Sequence, residues 1–286
     1  MYAMEKKSWT EKYKILPGSK VDLKEYDPDS TDSFDSKHDA LTQLEENTTL
    51  LADLQYKLYA ENRQSLLVIL QAMDAGGKDG TINSVFAPMN PQGCRVQNFK
   101  VPSTLEASHD FLWRIHQAAP KNGEVVIFNR SHYEDVLVAR VHNLVPREVW
   151  ESRYEAINNF EKLLLSNRTT IVKFFLHISK EEQLDRFKAR LTDPAKQWKI
   201  TEADYQERQY WDDYQKAFEA ALSHCSTKEA PWYVIPANKK WFRNLAVSTI
   251  LLETMTQMNL QLPPVSADLE KIRHLYEADE KEQENN

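Results

Sequence analysis

The chain has 286 residues and a formal net charge of −7, with 43 acidic against 36 basic side chains; it is long enough to bury a core without disulfide staples, and its acidic total argues against broad nucleic-acid binding. Cys94 and Cys225 lack Cys or His neighbours at zinc-ligand spacing, the longest apolar stretch (Leu66 to Leu70) is far short of the ~20 residues a membrane helix needs, and Met1 to Tyr13 is polar rather than signal-like. These features predict a soluble, cytoplasmic protein with neither membrane nor nucleic-acid partners.

Residues 1–37 are expected to be an extended N-terminal segment. Ile15 to Ser36 mixes Pro, Gly, Asp and Ser without periodicity, which predicts a lead-in over the surface with little functional content. Leu41, Leu44, Leu51, Leu54 and Leu58 then recur at three- and four-residue steps or their sums, predicting an amphipathic helix to about Asn62. Ser65 to Gln71 is continuously apolar between polar ends, as expected of a strand buried on both faces of a parallel sheet. Similar runs stand at Arg95 to Lys100, Val125 to Phe128, Thr170 to His177 and Trp232 to Ile235, with helical segments between them. The alternation predicts an α/β fold: a mostly parallel sheet of about five strands, flanked by helices on both faces. We assign 38–262 to this core and 263–286 to an acidic tail. Asp268 to Asn286 shows one short amphipathic stretch and a disordered end is expected.

The first strand runs directly into Gln71-Ala-Met-Asp-Ala-Gly-Gly-Lys-Asp-Gly80 and a helix start at Thr81. Strand, glycine turn and helix make a P-loop-like site: backbone N–H groups and the helix N-terminus attract an anion, and Lys78 adds a mobile charge. Ala72 stands where the Walker A pattern has its first glycine, and Asp79 replaces its hydroxyl residue. Asp74 and Asp79 suit magnesium, since hard cations prefer carboxylate oxygen. A purely structural turn, with either Asp as a helix cap, stays open.

The strand at Val125 leads into Asn129-Arg-Ser-His-Tyr-Glu-Asp135, where a Walker B carboxylate belongs. Asn129 and Glu134 are candidates to hold magnesium, and Arg130 to neutralise a transferring phosphoryl group. Ser131 and Glu134 also have the spacing of a capping box. His132 is expected to be a hydrogen-bonding scaffold rather than a base.

Met73-Asp-Ala-Gly-Gly-Lys-Asp-Gly80 together with Phe128-Asn-Arg-Ser-His-Tyr-Glu-Asp135 resembles the family-2 polyphosphate kinases, over roughly Tyr13 to Thr256. The Asn129 and Glu134 version is similar to the class III subgroup, whose members act on nucleoside mono- and diphosphates; others carry Asp at the position of Asn129. The resemblance implies a P-loop kinase-like fold with a helical lid, inorganic polyphosphate as donor, and a homo-oligomer, dimer or tetramer. It also implies a lid motif in Asp193-Pro-Ala-Lys-Gln-Trp-Lys199 and a phosphate-binding Lys100.

Between Arg186 and Lys199 five basic residues face a single Asp193, a cationic island in an acidic chain. Arg186 and Arg190, four apart on a helix, share one face and could clamp adjacent phosphates; a solvated face is the plain alternative. The helical lid is placed at about 180–215. Trp198, Trp211 and Tyr214 are read as core or as a nucleobase stack. Trp232 to Lys240 is read as a last strand and loop near the same sheet edge.

The expected activity is magnesium-dependent phosphoryl transfer, with manganese as a substitute, from polyphosphate to AMP or ADP and other purine nucleotides such as GMP and GDP, in a reversible reaction. The expected catalytic set is Asp74, Lys78, Arg130, Glu134, Arg186 and Arg190. Phosphate and nucleotide are assigned to Ala75, Gly76, Gly77, Lys78, Asp79, Gly80, Thr81, Lys100, Asn129 and Arg130, and metal to Asp74, Asp79, Asn129 and Glu134. An ATP-dependent nucleoside monophosphate kinase and a non-catalytic nucleotide-binding protein are the rival readings.

Overall fold

Ser65–Ala72 offers no polar face to water, so as a strand it needs other elements on both sides. In the computed structural model, which describes residues 8–32, 34 and 36–284, this strand, β1, is buried at every position. Among these residues it lies at the centre of a five-stranded parallel sheet of order β2-β3-β1-β4-β5. Its other strands are β2 (Cys94–Asn98), β3 (Val125–Asn129), β4 (Thr169–His177) and β5 (Trp232–Pro236). All five expected strands are present, with ends displaced by one or two residues. Phe99 and Lys100 leave the β2 ladder, although the Phe99 amide still donates to the Asn129 carbonyl.

The helices are α1 (Trp9–Tyr13), α2 (Lys37–Glu61), α3 (Lys78–Val85), α4 (Thr104–Ala107), α5 (Trp113–Ala118), α6 (Glu134–Val141), α7 (Arg147–Ser166), α8 (Lys180–Thr192), α9 (Glu202–Glu207), α10 (Trp211–Cys225), α11 (Lys240–Gln257) and α12 (Leu269–Glu284). On one face of the sheet α2 and α3 pack against α11; on the other α6, α7 and α10 pack together. No helix among the described residues is long and apolar enough to cross a membrane, and both cysteines are free.

The N-terminal segment corrects the expectation of a surface lead-in. Ile15, Val21 and Leu23 are buried in the core, the Ile15 amide donates to the Trp232 carbonyl at 2.7 Å, and Lys14 bridges antiparallel to Tyr233. An edge strand leaves unpaired backbone groups, and this segment meets β5 at its first two residues, in a strand buried along its whole length. Three apolar residues at irregular spacing show no period, so the segment resembles loop. The tail departs in the other direction: its short amphipathic stretch belongs to the 16-residue helix α12, with Leu269, Ile272, Leu275 and Tyr276 all exposed. The disorder expected toward the tail's end is not seen as far as Glu284, which closes α12; residues 285–286, and residues 1–7, 33 and 35 of the N-terminal reading, lie outside the described residues.

Candidate active site

Chain leaving the carboxyl end of β1 must turn at once to bring α3 back over the sheet. Ala75 takes φ +60° and Gly77 φ +102° to do so, and the Gly76 amide donates to the Met73 carbonyl at 2.9 Å. Gly77 is the N-cap of α3 without a side-chain cap, so the first amides of that helix remain available to an anion. Lys78 opens α3, half-buried, with Nζ donating to the Ala72 carbonyl at 3.2 Å. Burial, reinforced by the Arg130 charge, pulls its pKa down to about 8 against the pull of Asp74, Glu134 and Asp79. Thr81 is buried and its hydroxyl donates to the Gly77 carbonyl at 3.2 Å, which makes it a support of the turn.

β3 lies beside β1 with Leu70 in register with Asn129, and the Arg130 amide donates to the Leu70 carbonyl at 3.1 Å. Two motifs far apart in sequence therefore share one sheet edge. Arg130, at φ +62°, donates from Nη2 to Asp74 Oδ1 at 2.7 Å and from Nη1 to Glu134 Oε2 at 3.1 Å. The Glu134 charge, and after it Asp74, raises the Arg130 pKa, so the guanidinium stays charged. Asn129 Nδ2 donates to Asp79 Oδ1 and to Asn98 Oδ1, both at 2.8 Å. The capping box expected at Ser131 does not form. Helix α6 begins at Glu134 itself, whose carboxylate turns to Arg130, while Ser131 Oγ accepts from the Tyr133 amide and from Gln71 Nε2.

Helix α8 supplies the third wall. Arg186 is 7% exposed and points into the fold, donating to the carbonyls of Ala75, Ala237 and Asn238 and pairing with Glu182 at 2.6 Å. Arg190 instead donates to the Lys199 carbonyl at 2.9 Å. The two arginines expected to share a phosphate-facing surface thus divide between the glycine turn and the outer part of the segment. Lys100 is exposed just beyond β2, and its carbonyl accepts from Arg114 at 2.8 Å. Trp198 is exposed, with its indole N–H on the Ala195 carbonyl, and Trp211 is buried in the core. Of the three aromatic candidates, Tyr214 reaches the site, donating to Glu207 Oε2 at 2.9 Å.

Asn98, Gln183 and Arg243 escaped the sequence reading. Gln183 donates to the Asp74 carbonyl at 2.9 Å and accepts from Arg208 at 2.9 Å. Arg243, 2% exposed on α11, sets its guanidinium against Gly77 and Gly80, with Nε and Nη2 on Asn244 Oδ1. Burial, and then Arg186, lowers its pKa to about 9. The available signal is an arginine inside an otherwise apolar helix. Asp74, Arg130, Glu134, Gln183, Glu207 and Tyr214 enclose a cavity of ≈ 30 Å³.

Lys78, Arg130, Arg186 and Arg243 thus converge on one turn of backbone amides, an arrangement that can bind an extended polyanion and neutralise charge as it moves. Among the described residues no three His, Cys, Asp or Glu side chains form a closed metal cage. Asp74 and Glu134 each give Arg130 one oxygen. Their second oxygens suit magnesium, which takes one or two carboxylates and completes its shell with water and substrate phosphate.

The family model described as polyphosphate kinase 2 matches residues 34–263. A Meiothermus ruber protein named AMP/ADP-polyphosphate phosphotransferase is 53% identical over 262 residues, 91% of this chain and 98% of that one. An ADP-polyphosphate phosphotransferase of Rhodopseudomonas palustris is 46% identical over 267 residues, 89% and 92% of the two chains. Among solved structures, polyphosphate kinase 2 from Arthrobacter aurescens TC1 superposes with a TM-score of 0.91 at 45% identity, covering 94% of this chain and 96% of that one.

Proposed function

The chain belongs to the polyphosphate kinase 2 family, and on that premise we propose that it transfers the terminal phosphoryl group of inorganic polyphosphate to AMP and to ADP. The observation that carries the reading is that Lys78 lies within electrostatic reach of the Asp74–Arg130–Glu134 bridge at the carboxyl ends of two adjacent strands, where ligands of parallel sheets bind.

Phosphoryl transfer asks little covalent chemistry of a protein and much positioning and charge neutralisation. The amides at the start of α3 and the Lys78 ammonium hold the donor phosphates. Arg130, fixed between two carboxylates, offsets charge on the phosphoryl oxygens as the group passes in line to the acceptor. Magnesium, with manganese as a substitute, would be held by Asp74 and Glu134, with Asp79 and Asn129 beside them, and would supply positive charge against that of the reacting phosphates. Arg186 holds the Ala75 carbonyl and so keeps the turn in shape, while Arg190 and Lys100 border the approach. The helical segment at about 180–215 is the lid that excludes water, so that transfer wins over hydrolysis. Guanine nucleotides as further acceptors, a cytoplasmic location and a symmetric dimer or tetramer belong to the same reading; acceptor assays, cell fractionation and light scattering test them in turn.

The deciding experiment incubates the pure protein with polyphosphate, magnesium and AMP or ADP in the absence of ATP, beside a Lys78→Ala control. Phosphorylated product from the unsubstituted protein alone supports the reading. Product only when ATP is the donor would replace it with an ordinary nucleotide kinase, and silence with both donors with a binding protein.

A further inference from the structure

Beneath the second motif lies a cluster of ionisable side chains that the proposed chemistry does not use. Lys173, in the middle of β4, has no solvent exposure; Glu161 on α7 is 1% exposed, and His132 and Tyr133 are fully buried. The Lys173 ammonium places its three donors on Glu161 Oε2 at 2.5 Å, the Cys225 carbonyl at 2.7 Å and the Tyr133 hydroxyl at 3.1 Å. Tyr133 donates to Glu161 Oε1 at 2.8 Å, and His132 Nε2 lies 3.3 Å from the same oxygen.

Stability does not explain this arrangement. Each buried charge is costly to desolvate, and apolar residues of similar volume are often as stable. The location suggests another use. Arg130 and Glu134 face the phosphate loop; between them the chain turns His132 and Tyr133 inward onto Glu161 and Lys173. Arg130 also holds φ +62°, a conformation that is unfavourable for a non-glycine residue and persists only where its surroundings fix it. The outer half of the motif is tied to Asp74, and the inner half to the ion pair.

We propose that Glu161 and Lys173 are positioning residues for the phosphoryl-transfer site: through Tyr133 and His132 they fix the backbone of 129–134, so that Arg130 meets Asp74 and Glu134 in one geometry. The inference rests on the reading that Arg130 and Glu134 act on the transferring group. Misplacement by about 1 Å at such a site costs on the order of 100-fold in rate.

Two variants test it. Tyr133→Phe keeps the ring and the ion pair but removes the hydroxyl bonds to Glu161 and Lys173, leaving the longer His132 contact as the remaining tie to the motif. Lys173→Met with Glu161→Gln removes both charges together, leaving neither unpaired, and keeps an acceptor for Tyr133. In each, kcat and KM for polyphosphate and AMP are measured well below the thermal midpoint, and amide hydrogen exchange is followed over 129–134. A positioning role predicts a fall in kcat of about 10- to 100-fold, unchanged KM, and faster exchange in 129–134 but not in β1. A lower thermal midpoint with kcat and exchange unchanged would overturn it, as would a loss confined to KM. Should the double variant fail to fold, Tyr133→Phe decides. Absence of polyphosphate-dependent transfer in the unsubstituted protein would overturn the functional reading instead, and exchange in 129–134 would still decide whether the cluster holds that segment.

Discussion

Arg243 fills the space that a side chain at residue 77 would require: its Nη1 stands where a Cβ on Gly77 would fall, and Gly77 itself holds φ at +102°. The phosphate loop is therefore closed to larger residues by its backbone and by its neighbour independently. Gly77→Ala is expected to lose about 1–3 kcal/mol from backbone strain alone and to push Arg243 off the loop. Adding Arg243→Ala recovers the space but not the strain, so urea denaturation of the double variant should show partial recovery. Equal stability of Gly77→Ala and the unsubstituted protein would refute both constraints.

Arg130 reaches Asp74 and Glu134 with separate nitrogens of one planar group. A lysine carries the charge but not the fork. Arg130→Lys is therefore expected to fall far short of the parent, with kcat approaching the ~10³-fold loss typical of a missing transition-state arginine. Steady-state kinetics at saturating polyphosphate checks this, and nearly normal turnover by the lysine variant would remove Arg130 from the neutralising role.

Acid should weaken the fold through His177, at the end of β4. Burial lowers its pKa from the ordinary 6.5 to about 4, against the carbonyls of Leu23 and Tyr26 and the charge of Asp27. Because the folded value lies below the unfolded one, the unfolded chain binds the extra proton between those limits. Stability is complete above about pH 6.5 and falls as pH drops toward 4, by about 3 kcal/mol in all. His177→Leu should flatten this limb in denaturation curves taken at several pH values; parallel losses in both proteins would place the acid sensitivity elsewhere.

Arg208 donates to Gln183 in the cavity wall, and Gln183 donates to the Asp74 carbonyl. This relay ties the segment after α9 to the phosphate loop. Arg208→Ala is expected to loosen the cover and let water compete with the acceptor, since exclusion of water is what favours transfer. The measurement is free phosphate released per nucleotide phosphorylated, which should rise; an unchanged ratio with unchanged kcat would deny the relay a role.

The parts of the site legible in the sequence were those where polar residues crowd the end of an apolar strand. β1 followed by Gly76, Gly77 and Lys78, and β3 followed by Asn129, Arg130 and Glu134, announce themselves because a buried parallel strand has no other reason to end so. Arg186 and Arg190 show the limit of periodicity. Helical spacing places both on one side of α8, but not which chain arrives there: carbonyls of the glycine turn meet the first, and the Lys199 carbonyl meets the second. Arg243 belongs to a remote helix whose approach to the loop depends on the whole sheet order. Lys173 hides as one polar letter in Thr-Ile-Val-Lys-Phe-Phe, since its partner Glu161 faces it only once α7 has crossed the sheet.

The central position of β1 also bears on how the molecule is made. Ser65 meets Thr169 side chain to side chain across a separation of 104 residues, so the strand that carries the phosphate loop is synthesised long before β4 exists to flank it. At about 5–20 residues per second, the ribosome leaves that apolar segment waiting roughly 5–20 s for its second neighbour. A nascent chain with such an interval is a natural client for chaperones, and slowing or hastening translation between β1 and β4 should change the yield of folded protein more than the same change applied after β5.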